Sequence, residues 1–331
     1  MINLLKEIVS RESPSGDKKA VDACSDFDIQ ELKKTGARIN RFPQKKIGAL
    51  YLAEYPSPAP KSITEQILIL LHVDTVWPVG KIHNMPFYVS EEKIFGPGVL
   101  DMKASIVMAL YSLRALSELN TLPKKKIAVF INSAEEIGSE ESYALIKNLC
   151  KKSDCVLCLE PSLQGGALKA QRKGRLVVRL EAKGKAAHAG APHKGTNAIE
   201  ELIHQLRCVK EFEKEETTVN IGLIEGGEKP NIVAEGAHAI LDVRFWKNEQ
   251  KEKFISSLRK LQPALKGARV KFTIESLTPP MEKNEASSEL FTRVKEIAST
   301  LNIKLTAGKT GGGSDASVAS SMGIATLDGL G

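Results

Sequence analysis

Aromatic residues are scarce: Phe, Tyr and Trp make up 5% of the 331 residues. That is too few for a face of base-stacking platforms. Cysteine is equally thin. The five thiols at 24, 150, 155, 158 and 208 are odd in number, which excludes a complete disulfide framework. Cys155 and Cys158 have a metal-knuckle spacing, but they lie in the apolar run CVLCLE and no second such pair exists. Buried structural thiols are the expectation. No apolar run approaches the roughly 18 residues that a membrane helix needs. The opening MINLLKEIVSRE interleaves charge with Leu, Ile and Val, so it lacks the apolar core of a secretory signal. A cytoplasmic chain with no membrane partner is expected. No internal repeat is visible.

Charge of one sign is in modest excess, at +7. The basic residues come as scattered pairs such as Lys18-Lys19, Lys33-Lys34, Lys45-Lys46 and Lys151-Lys152, most with acidic neighbours. A nucleic-acid binder concentrates its basic charge on one face within a recognisable module. None is present, so no nucleic-acid partner is expected. Hydrophobic residues reach 42%, enough for real cores, and the length suits about two domains.

The patterning supports that division. Residues 1–40 read as one amphipathic helix entering through the turn SPSGDKKAV, followed by strands at 48–53 and 67–73. Helical spacing runs over 102–118, a strand over 126–132, a helix near 139–150 and a strand at 155–159. Buried strands alternating with helices predict an α/β sheet, mixed but mostly parallel and covered by helices. Between 173 and 283 the order becomes strand (176–182), helix (195–210), strands (217–224 and 232–245), helix (248–262), strand (268–276). That β-α-β-β-α-β order is ferredoxin-like and reads as an inserted α+β domain. The first pattern then returns with a helix at 286–300, strands at 302–306 and 323–328, and a glycine loop between them. The predicted domains are therefore 1–172 with 284–331, interrupted by 173–283.

Five polar features stand at the ends of apolar strands, where α/β sheets place their ligands. They are His72 with Asp74, Asp101, Glu135-Glu136, Glu160, and the loop Gly311-Gly312-Gly313-Ser314-Asp315. Singly, each has an ordinary reading: a core histidine, a helix cap, acidic charge at a helix start, a strand-end ion pair. Together, one imidazole and several carboxylates make a nitrogen-and-oxygen set suited to Zn²⁺, with Co²⁺ or Mn²⁺ as alternatives. A surplus of carboxylates also suits two metals, because one carboxylate can bridge them. Gly308-Lys309-Thr310 imitates the tail of a phosphate-binding loop, but the glycine required five positions earlier is Ile303.

The segments LLHVDTVWP, GPGVLDMKAS, NSAEEIGS, LEPS, AAHAGAPHKGTNAI and TGGGSDA, in this order and spanning the chain, resemble the aminoacylase/carboxypeptidase/desuccinylase family of di-zinc amidohydrolases. The resemblance implies metal ligands His72, Asp101, Glu136 and Glu160, with Asp101 bridging two zincs and a cis peptide after it. It implies Asp74 as the partner of His72 and Glu135 as general base. His188, from the inserted domain, would support the oxyanion across a homodimer. Arg244 in DVRF, Asn231 and the loop Gly311, Gly312 and Gly313 would contact the substrate or its carboxylate. The reaction implied is zinc-dependent cleavage of an amide in a small N-acyl amino acid or peptide with a free carboxylate.

Two departures stand against that pattern. Family members carry a further zinc-binding His shortly after a GLG-like strand end, and this sequence stops at Gly331 before one; its six histidines lie at 72, 83, 188, 193, 204 and 238. The expectation is a C-terminally incomplete site that binds one metal well and a second poorly. Thr278 also stands where many relatives have an Arg before Pro-Pro, which removes one bidentate carboxylate contact. The rival expectation is a non-catalytic homologue that binds metal and small acidic ligands without turnover.

Overall fold

The apolar runs ILILL and IAVFI are too short for helices and rich in β-branched and large side chains, and both are strands in the computed structural model, which describes residues 1–56, 65–138, 140–214 and 216–331. In chain order the strands are β1 (Arg38–Phe42), β2 (Leu50–Tyr55), β3 (Gln66–His72), the short hairpin β4 (Tyr88–Val89) and β5 (Ile94–Phe95), β6 (Lys126–Asn132), β7 (Cys155–Cys158), β8 (Leu168–Arg172), β9 (Gly174–Lys183), β10 (Thr217–Gly226), β11 (Gly236–Phe245), β12 (Arg269–Thr278), β13 (Ala307–Thr310) and β14 (Ala325–Asp328). The chain divides into two compact units: Met1–Ala170 with Lys283–Lys309 and Ser314–Gly331, and Gln171–Glu282 with Thr310–Gly313.

The first unit is built on a mixed eight-stranded sheet in the order β1-β2-β6-β3-β7-β14-β8-β13. Its centre is parallel: β3 runs alongside β6 and β7, and β14 alongside β7. Helices Lys18–Lys34 and Ala104–Glu118 bury Ile29, Leu32, Ile106, Leu110 and Leu113 in a core shared with Val129 and Ile131 of β6. Asp17 caps the first of these helices by accepting the N–H groups of Lys19 and Ala20. The register sets His72 opposite Asn132 and Leu70 opposite Cys158. The carboxyl ends of β3, β6 and β7 therefore finish on one edge of the sheet. This placement is what gathers the polar residues that follow each strand.

The second unit is a four-stranded antiparallel sheet in the order β10-β11-β9-β12. Strands β9 and β11 alternate buried and half-buried residues, as a sheet with one covered face requires. Leu176, Val178, Leu180, Leu241 and Val243 pack against Leu202 and Leu206 of helix Ala198–Lys210 and Phe254 and Leu258 of helix Asn248–Arg259. The β-α-β-β-α-β order is as the sequence predicts.

Three expectations are corrected. Residues 1–40 hold two helices, Ile2–Val9 and Lys18–Lys34, because the Ser- and Pro-containing stretch between them breaks the helix. The strand expected at 302–306 is irregular, with Ile303 53% exposed, and the pairing occurs instead at Ala307–Thr310. Strands β1 and β8, reading RINRF and LKAQR, were not expected, since neither carries an apolar run. The helix anticipated near 139–150 is observed over Glu140–Cys150, its first expected position lying outside the described residues. None of the five cysteines forms a disulfide; Cys158 is buried and Cys155 half-buried on β7.

Candidate metal centre

His72 is the last residue of β3, so its ring leaves the sheet at the carboxyl edge while the preceding leucines stay in the core. The imidazole is 2% exposed. Its Nδ1 lies 3.0 Å from the main-chain oxygen of Asp74 and 3.6 Å from that residue's carboxylate. Its Nε2 lies 3.0 Å from Oδ1 of Asp101 and 3.4 Å from Oε1 of Glu160. One ring nitrogen is thus tied to the chain and the other is aimed between two carboxylates. Among the described residues, His72, Asp101 and Glu160 each offer a ligand atom, and these atoms all lie within 4.8 Å of one another. Glu136 stands outside that group. Asp101 is half-exposed on an irregular turn at Val99–Lys103, and its peptide bond to Met102 is cis.

Asp74 does more than accompany the imidazole. It is fully buried and accepts three hydrogen bonds: from the Ser15 hydroxyl at 2.7 Å, from the N–H of Glu135 at 3.1 Å and from the N–H of Glu136 at 3.2 Å. A chain leaving β6 as a regular strand would point two adjacent glutamates to opposite faces. The Asp74 carboxylate binds both of their amides and holds the chain in a turn instead.

The electrostatics of this edge are those of a site short of positive charge. Burial pushes the Glu135 carboxyl well above its ordinary range, and the neighbouring Glu160 adds to the rise. Burial also raises Glu136 to about 7, against a partial offset from His72. Asp315, 3% exposed, is raised to about 7 by burial despite a donated hydrogen bond from Asn132. For His72, burial works to lower the value, but hydrogen bonds with Asp101, Asp74 and Glu160 outweigh it and hold the ring well above an ordinary histidine. The Lys169 ammonium lies 3.8 Å from Oε2 of Glu160. Carboxyls crowded in this way need either protons or a cation. An imidazole nitrogen converging with two carboxylates suits a divalent ion of the zinc type. The residues therefore fit a metal of this type.

The other expected residues belong to the second unit. His188 is exposed, accepts the N–H of Gly190 at its Nδ1 (3.0 Å) and bridges to Ile232. The oxygen of Asn231 accepts the N–H of Ala189, so His188 and Asn231 sit on adjoining segments. Arg244 is largely committed: Nε donates to Oδ1 of Asp242 at 2.6 Å and Nη2 to Oδ2 at 3.1 Å, while Nη1 reaches the oxygen of Gly311 at 3.4 Å. Arg172, 3% exposed, donates to the oxygens of Gly312 and Gly313 at 3.3 and 2.6 Å. Two arginines thus hold the carbonyls of the glycine loop.

Sequence reasoning passed over three residues. Arg172 ends a strand with no apolar signature. Asn132 is the polar end of the β6 run and was in plain view. Asp315 stood at the tail of the glycine loop, with no role of its own given by its residue type.

Comparison with known proteins follows the same lines. Residues 170–268 match the model of the M20 peptidase dimerisation domain. The chain is similar to carboxypeptidase G2 of Pseudomonas, at 30% identity over 341 aligned positions that cover all of this chain and 81% of the relative. It is 25% identical to a probable succinyl-diaminopimelate desuccinylase of Staphylococcus aureus, over 90% of this chain and 80% of that protein. The crystal structure of aminopeptidase PepT from Bacillus cereus shares the fold, with a TM-score of 0.72 at 23% identity, over 98% of this chain and 88% of that one. These similarities, together with the gathered His, Asp and Glu side chains, show that the chain belongs to the M20 family of metallopeptidases.

Proposed function

We propose that the chain is a zinc-dependent amidohydrolase that cleaves a small N-acyl amino acid or peptide bearing a free carboxylate. The observation that carries this reading is the aim of His72 Nε2 between Asp101 and Glu160, near the half-buried Glu135. His72, Asp101 and Glu160 would hold one zinc, and Asp101 with Glu136 would hold a second more weakly. When bound, the metal supplies Lewis acidity, which acidifies water and polarises a carbonyl. Glu135 acts at its carboxylate oxygens: it accepts the proton of the attacking water and returns it to the leaving nitrogen. Asp74 positions that base by holding its amide N–H. His188 supplies a donor to the oxyanion. With its carbonyls turned to Arg172 and Arg244, the loop Gly311–Gly313 offers N–H groups to the substrate carboxylate, and Asn231 contributes beside His188.

The same reading makes the protein a homodimer through the second unit. Strand β10 lies at the edge of its sheet and exposes Leu223 and Ile224 at 62% and 56%, which is a poor surface to leave in water. Sedimentation should give a dimer, and Leu223→Asp should give a monomer; an unchanged dimer in the variant would place the contact elsewhere.

The reaction is tested on a panel of N-acyl amino acids with zinc, comparing the unaltered chain with Glu135→Ala. Zinc-dependent amino acid release that falls about 10²–10⁴-fold in the variant is expected. Equal rates in the two proteins would refute Glu135 as the base, and zinc binding with no turnover on any member would favour the ligand-binding homologue.

A further inference from the structure

Asn132 closes β6 and is fully buried. Three hydrogen bonds leave it. Its main-chain oxygen accepts the N–H of Val73 at 2.9 Å, which ties the His72–Asp74 segment to the end of β6. Its side-chain Oδ1 accepts the N–H of Ala134 at 3.1 Å, which bends the chain into the turn bearing Glu135 and Glu136. Its Nδ2 donates to Oδ2 of Asp315 at 2.7 Å, 183 positions along the sequence. Asn132 can serve Ala134 only while its amide keeps the rotamer that points Oδ1 at that N–H, and the anchor on the other end of the amide is Asp315.

Asp315 is placed for this and for little else. It is 3% exposed at the head of the short helix Ala316–Ser321 and does not cap that helix through its side chain. It is Ser314 Oγ that accepts the N–H of Ala316, at 3.1 Å. Among the described residues no hydrogen bond reaches Oδ1 of Asp315. A buried carboxyl with one oxygen unbonded is costly, and a residue chosen for packing alone would be apolar here.

Resting on the metal-centre reading given above, we infer that Asp315 is a positioning residue that fixes the Glu135–Glu136 turn by orienting the Asn132 amide. Its side-chain hydrogen bond goes to Asn132, and through that amide it reaches the turn. Outer residues of this kind set ligand orientation in metal sites. What the turn needs from position 315 is a hydrogen-bond acceptor, so Asn at that position can serve where Ala cannot.

The test compares Asp315→Ala, Asp315→Asn, Asn132→Ala and the double Asp315→Ala/Asn132→Ala in the full chain. Zinc affinity is read by competition with a chromogenic chelator, and kcat and KM are read on the best N-acyl amino acid. Asp315→Ala should weaken zinc binding or lower kcat by about 10–100-fold, with KM little changed. Asn132→Ala should match it, the double should fall no further than the worse single, and Asp315→Asn should recover most of the loss. Wild-type zinc affinity and kcat in Asp315→Ala would overturn the inference. So would losses that multiply in the double, or an Asp315→Asn as impaired as the alanine. If Asp315→Ala does not fold, the other two singles decide: impaired Asn132→Ala with near-normal Asp315→Asn supports the inference, and the reverse contradicts it. The zinc competition is independent of turnover, so a chain with no amidase activity would refute the proposed reaction and leave this result standing.

Discussion

In the second unit, Glu201 is completely buried on helix Ala198–Lys210, and burial works against its charge; yet the amide of Gln205 and the N–H groups of Leu265 and Ala264 donate to it and hold its carboxyl below the ordinary range. Asp242 is treated likewise, with Arg244 and Arg175 outweighing burial. At the strand ends of the first unit the outcome is reversed. Glu135, Glu136 and Asp315 all rise, because burial there is joined by other carboxylates and answered by few donors. One unit meets its buried carboxylates with donors; the other crowds carboxylates around a single imidazole, an arrangement suited to a cation.

The largest break in that contrast should come from His72→Ala. It removes the only imidazole aimed at Asp101 and Glu160 among the described residues, so zinc affinity should fall by more than the roughly 10–100-fold typical of a supporting residue. Chelator competition reads this directly, and an unchanged affinity would show that the metal sits elsewhere.

Asp28 sharpens the comparison, because it is a raised carboxyl in the first unit away from the cluster. Its side chain is fully buried, neither oxygen finds a hydrogen bond among the described residues, and burial lifts it from 3.8 to about 7 against the pull of Lys103 and Arg11. Below about pH 4 folded and unfolded chains both hold the proton. Between there and 7 the unfolded chain loses it and the folded chain keeps it, so stability falls as pH rises through that window. Asp28→Asn should flatten this loss and stabilise the protein at pH 8 by at most roughly 4 kcal/mol, with little effect at pH 4. Urea midpoints at the two pH values would show it; a variant less stable at pH 8 would mean that Asp28 is ionised and paired in the folded chain.

In the second unit the opposite sign is expected. Glu201→Ala leaves the buried N–H groups of Ala264 and Leu265 without their acceptor and should cost about 1–3 kcal/mol at pH 7. Because the folded carboxyl lies below its ordinary value, the stabilisation by Glu201 is present at neutral pH and fades as the solution is acidified. A Glu201→Ala chain as stable as its parent at neutral pH would remove the contrast between the units.

The sequence carried much of this because the fold turns apolar runs into parallel strands and exposes whatever polar residue comes next. ILILL hands on His72 and Asp74, IAVFI hands on Asn132 and the two glutamates, and CVLCL hands on Glu160. Where that signal is missing, reading the chain failed. LKAQR and AGKT pair as strands without an apolar run, while NIKLT alternates like a strand and leaves Ile303 in solvent. Asp315 stands among the strand-end features, but its partner is not legible, because the link to Asn132 spans 183 positions and depends on which strand end it meets. The roles of Arg172 and Arg244 at the glycine loop depend on carbonyl direction, which no residue type announces.

On the proposed reading, the carboxylate-rich edge of the first unit is completed by a metal that activates water for amide cleavage. The direct measurement strips the chain with a chelator, adds zinc back in known equivalents, and follows bound metal and N-acyl amino acid hydrolysis together. Hydrolysis should vanish on stripping and return as the first equivalent binds, with a second equivalent bound more weakly. A stripped chain that hydrolyses at an undiminished rate, or one that takes up no zinc at the cluster, would contradict it.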